Sequence, residues 1–117
     1  MALNPMIITD PEEGREYTLE FSRKTVAKAE AAGLDVNKMD SAPMTMLPLL
    51  FWGAFLMHHP YMKQEDASRI LFDGLHGLST EEAEYLGKLY SEPFKTLIAG
   101  EDEGKAENPP RKMSVKI

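Results

Sequence analysis

The sequence predicts an α+β fold, mainly helical, in which an N-terminal β-hairpin packs on a bundle of about four helices. Three observations lead there. Tyr17, Leu19 and Phe21 alternate with Glu16, Thr18 and Glu20, the period of a half-buried strand. Apolar residues then recur at helical spacing from residue 26 to residue 98. Ser79 stands three residues before Glu82, the signature of a capping box at a helix start.

The hairpin comes first. Residues 6–9 and 15–21 read as its two strands, joined by Asp10-Pro11-Glu12-Glu13-Gly14. Pro fixes φ and Gly permits a positive φ, so this linker has the residues of a turn. A lone hairpin is marginal in water, so its apolar face is expected to lie on the helices that follow.

Helix one is expected over residues 23–32, with Ser22 as N-cap and Gly33 as the glycine just past its end. Helix two is expected over residues 45–59, with Pro48 in its first turn, where no intrahelical N–H is lost. Apolar side chains surround its axis, which makes it the central helix. Gly53 inside it costs about 1 kcal/mol against Ala and implies a close-packed neighbour. Helix three, residues 64–75, carries Ala67, Ile70, Leu71, Gly74 and Leu75 as one stripe. Helix four, residues 80–99, presents Leu86, Leu89, Tyr90, Phe94, Leu97 and Ile98, and Pro93 is expected to kink or divide it.

Length and composition fix the remaining outline. A chain of 117 residues suits one small domain. Residues 1–100 are expected to form it. Residues 101–117 carry too few apolar side chains to offset their ordering entropy and read as a flexible tail. The apolar run from Ala42 to Met57 would reach roughly 24 Å as a helix, short of a ~30 Å hydrocarbon core. No membrane span and no signal peptide are therefore expected.

Charge and residue chemistry narrow the function. Thirteen basic against nineteen acidic residues give a net charge of −6, with no basic patch for nucleic acid. With no cysteine, thiol catalysis and thiolate metal sites are excluded. His58 and His59 are neighbours, and adjacent helical residues point about 100° apart, so one metal ion is not expected to take both. The expected role is a helix C-terminus, where imidazolium is favoured. His76 stands apart. The pairs Glu65-Asp66 and Glu81-Glu82 fall in first turns of helices, where carboxylates offset exposed N–H groups. No phosphate loop, nucleophile elbow or HExxH motif is present, so no catalytic residue and no cofactor are assigned. Five methionines, Met39, Met44, Met46, Met57 and Met62, gather around helix two. Methionine fills irregular cores and also adapts to varied binding surfaces; a plastic core is the first reading of the cluster, and, where helix two is only partly covered, Met44, Met46 and Met62 are the expected partner-binding residues.

Two passages carry a resemblance. One is Tyr17-Thr-Leu-Glu-Phe-Ser-Arg-Lys-Thr-Val-Ala-Lys-Ala-Glu-Ala-Ala-Gly-Leu-Asp35, a strand followed by a helix ending in Glu-x-x-Gly. The other is the apolar helix Pro43-Met-Thr-Met-Leu-Pro-Leu-Leu-Phe-Trp-Gly-Ala-Phe-Leu56. Over residues 15–100 the chain resembles the small tail assembly chaperones of long-tailed phages and prophages, and related gene transfer agent proteins. The resemblance implies a non-enzymatic role in the bacterial host cytoplasm. Such proteins coat the long tape-measure protein and deliver it to tail-tube subunits, so the implied partners are those two proteins, and a homo-oligomer is compatible with it. The alternative is a structural or adaptor phage-like protein that self-associates and remains in the particle.

Overall fold

Asp10 organises the first turn. Its Oδ1 accepts the backbone N–H groups of Glu12 (3.0 Å) and Glu13 (3.3 Å), and Gly14 closes the turn at φ 67°. The strands on either side are β1 (Met6–Asp10) and β2 (Arg15–Leu19), antiparallel, with Met6 opposite Leu19 and Ile8 opposite Tyr17. The computed structural model describes residues 3–96. The tail expected over residues 101–117 lies outside them, as do Leu97 and Ile98.

Helix α1 (Arg23–Ala31) starts at Ser22, whose hydroxyl accepts the Thr25 N–H (3.2 Å) while Thr25 Oγ1 accepts the Ser22 N–H (2.9 Å). This reciprocal cap satisfies the buried Thr25. The helix closes in a Schellman turn: the Gly33 N–H donates to the Glu30 carbonyl, and the Leu34 N–H to that of Ala29. Gly33, at φ 114°, takes the left-handed position, and Leu34 turns into the core. A single 3-10 turn, Val36–Lys38, is capped by Asp35 and leads to α2.

Helix α2 (Pro43–Phe55) begins two residues earlier than expected, with Pro43 at its first position. Pro48 therefore lies inside the helix, not in its first turn. The helix is central: Phe51, Ala54 and Phe55 are fully buried. Helix α3 (Gln64–Arg69) is shorter than its stripe suggested, because residues Ile70–Gly74 widen into a π-turn. The Leu75 N–H reaches back to the Ile70 carbonyl and that of Gly77 to Leu71, with His76 and Gly77 at positive φ. Helix α4 (Thr80–Ser91) opens with the expected Ser79/Glu82 capping box. Around Pro93 the chain tightens into a 3-10 helix, Glu92–Thr96. A proline cannot donate to the ladder, which accounts for the break.

The fold is thus α+β and mainly helical, with one two-stranded sheet among the described residues. The hairpin meets the bundle through Leu19 and Phe21. Tyr17 and Phe55 pack edge to face at 5.4 Å, and Phe21 and Tyr90 at 5.3 Å. Among the described residues no helix is long and apolar enough to cross a membrane.

Candidate protein-binding groove

The turns that end α1 and start α2 build one wall of a groove. The Schellman turn sets Leu34, the Asp35-capped turn sets Val36 and Met39, and the first three turns of α2 add Pro43, Leu47 and Leu50. The facing wall is α4, where Ala83, Gly87 and Ser91 recur every fourth residue and so share one face. Phe94 and Leu3 complete the lining. The Tyr85 hydroxyl donates to the Asn4 carbonyl and ties the chain beside Leu3 to α4. The groove is open to solvent and measures about 1480 Å³. Val36 and Phe94 in its lining are 42% and 41% exposed.

Some of the polar groups at the groove are engaged within the chain. Tyr90 donates its hydroxyl proton to Glu30 Oε2 (3.1 Å). Burial, and then the Glu30 carboxylate beside it, push the Tyr90 hydroxyl up to about 12, so it stays a donor at neutral pH. Lys95 pairs with Glu92 at 3.1 Å.

The expected methionine surface does not exist as one surface. Met44 is 75% exposed and does not line the groove, whereas Met46 is 7% exposed and belongs to the core. Met46 Sδ faces the Asp35 N–H at 3.4 Å. Met62 is half-buried, and its carbonyl accepts the Trp52 indole N–H at 2.9 Å. It borders a second hollow of about 510 Å³ beside Tyr17 and Ile70. Helical phase explains the split: residues 44 and 46 lie about 200° apart around α2, so they cannot share a face. Of the five methionines near α2, Met39 is the one that reaches the groove.

The histidines sit in the turn that closes α2, where both backbone N–H groups donate to the Phe55 carbonyl, and their side chains have a further use. Helix α2 ends before them, and each reaches the hairpin separately. His58 Nε2 contacts Glu20 Oε1 at 2.8 Å, and His59 Nε2 accepts the Thr18 N–H at 3.0 Å. Burial, with the neighbouring His58, lowers the His59 pKa below the ordinary imidazole value. Among the described residues no three His, Asp or Glu side chains gather as a metal ion would need.

The groove was not legible in the sequence because its residues come from three separated segments of ordinary apolar character. The available signal was local: small residues at 83, 87 and 91 on a helix whose other face is large and apolar. Among known proteins, a family model described as a domain of unknown function (DUF5055) matches residues 1–114, and the chain belongs to that family. No curated protein and no solved structure matches it.

Proposed function

We propose that this member of the DUF5055 family is a non-enzymatic tail assembly chaperone of phage or prophage type, acting in the host cytoplasm. On this reading it holds apolar helical segments of a tape-measure protein and passes them to tail-tube subunits. The observation that carries the proposal is the open apolar groove between α2 and α4. At about 1480 Å³ it exceeds the roughly 300–1,000 Å³ usual for small-molecule pockets. Its long walls suit helix-in-groove recognition. The resemblance over residues 15–100 supplies the identity of the partner.

Co-expression with a phage tape-measure protein, followed by co-purification, tests the reading. Capture is expected, and it should be lost in a Val36→Glu, Phe94→Ser variant whose far-UV dichroism and melting match the parent. Failure to co-purify sinks the chaperone reading. Capture that survives both substitutions moves the site away from the groove.

A second reading, a self-associating structural or adaptor protein, draws on the outer edge of β1. Thr18 turns its N–H to His59, so the paired Ile7 turns its own N–H away from β2. Ile7 is 50% exposed, and no further strand joins that edge among the described residues. Such an edge is a template for pairing with another chain. Retention in mature particles would favour this reading over the first.

A further inference from the structure

The groove has an apolar floor and an acidic rim. Glu30, Asp35, Asp40 and Glu84 line it with Lys88, while Glu92 and Lys95 already neutralise each other. Setting that pair aside, the lining carries four carboxylates and one ammonium group, Lys88, which stands one turn from Glu84 on α4. Two of the four are fixed in place, Glu30 by the Tyr90 hydroxyl and Asp35 by the Asn37 N–H. Both contacts come from neutral donors and leave the negative charge standing.

The α4 wall shows how closely an occupant can approach. A Cβ on Gly87 would meet nothing within 4 Å, so packing inside the chain does not require glycine there. With Ala83 and Ser91 it makes a shallow wall against which a second helix can lie.

From this geometry and charge, we infer that the groove takes an amphipathic helix whose apolar stripe is flanked by lysine or arginine. The inference rests on the groove being the binding site proposed above and adds the charge of its partner. The stripe would meet Leu34, Met39, Leu47 and Leu50, and the flanking cations would meet the rim. Rim charges of this kind select partners and speed encounter more than they deepen affinity.

The test uses the full chain and two fluorescently labelled helical peptides with the same Leu/Met stripe. One peptide carries lysine beside the stripe, the other glutamate, and anisotropy reads their affinities. At low salt the lysine peptide should bind on the order of tenfold more tightly. The gap should close at about 1 M salt, where the Debye length is about 3 Å. An Asp40→Lys, Glu84→Lys variant should reverse the order, and an Asp40→Asn, Glu84→Gln variant should narrow the gap; both sites are exposed. Equal affinities, or a preference for the glutamate peptide, overturn the inference.

A third outcome also overturns it. If the parent chain binds neither peptide but an Arg111→Glu, Lys112→Glu, Lys116→Glu variant binds, the groove belongs to the chain's own basic segment. The two proposals fail separately. Tape-measure capture without a charge preference removes the inference and leaves the chaperone reading. A salt-sensitive lysine preference without tape-measure capture does the reverse.

Discussion

Gly53 in the last turn of α2 and Gly87 within α4 stand where they do for opposite reasons. A Cβ at Gly53 would lie 2.9 Å from Ala29 Cβ and 3.1 Å from Phe21 Cε1, at the point where α1 crosses α2. Ala29 Cβ cannot swing aside, so the α1 backbone would have to move. Gly53→Ala is expected to lower stability by about 1 kcal/mol or more, because the overpacking cost exceeds the gain in helix propensity. Gly87→Ala meets open space and should raise stability by up to about 1 kcal/mol. Denaturant midpoints of the two variants check the pair, and a stabilised Gly53→Ala would show that the helices do not meet there. That Gly53 needed a close neighbour was readable from its place in an apolar helix. Which neighbour it has was not. Met46 teaches the same lesson, since an adaptable residue beside an open edge reads alike whether it faces in or out.

At the scale of elements, the hairpin is held to the bundle by polar contacts as well as apolar ones. The Glu20 N–H donates to the Ala54 carbonyl (2.9 Å) near the end of α2, one of the carbonyls a helix terminus leaves open. His59 takes the next outward N–H of β2, that of Thr18. The acceptor nitrogen must be unprotonated, in keeping with the lowered His59 pKa. The folded protein thus binds a proton less readily at His59 than the unfolded chain does. Its contribution to stability is full above about pH 6.5, the unfolded value, and is lost as pH falls through the folded value. The melting temperature should drop more steeply below about pH 6.5 in the parent than in His59→Gln, which keeps an acceptor that does not titrate. Parallel profiles would remove His59 from this role. The capping box at Ser79 and Glu82, by contrast, needed no tertiary partner and was legible in four residues.

At the scale of the whole molecule, α2 touches every other layer. It packs on α1, α3, α4 and β2, and the buried side chains form one cluster. A domain with a single core and one shared central helix should unfold in one step. Trp52, half-buried on α2 and bonded to the Met62 carbonyl, reports on that core. Its fluorescence should shift red on denaturation with the same midpoint and slope as the loss of far-UV dichroism. Separate transitions would mean that the hairpin or α3 comes away before the rest.

The sequence by itself determined the features that depend on neighbours in the chain. The alternation of Tyr17, Leu19 and Phe21 marked the strand, Ser22 and Ser79 marked helix starts, and Gly33 marked a helix end. The apolar circumference of residues 45–57 placed α2 at the centre, because such a helix has no face to give to water. Tertiary structure decided the rest. Whether Met44 or Met46 faced solvent depended on the rotation of α2 about its axis, which its nearly uniform apolar surface leaves unspecified. That His58 and His59, besides closing α2, also clasp the hairpin depended on where β2 lay. The groove depended on three segments that share no local pattern and meet only because α1, α2 and α4 pack around one core. Local rules act over the few residues that a turn or a cap spans. A concave surface is made by the distance between elements, and that distance is set by packing.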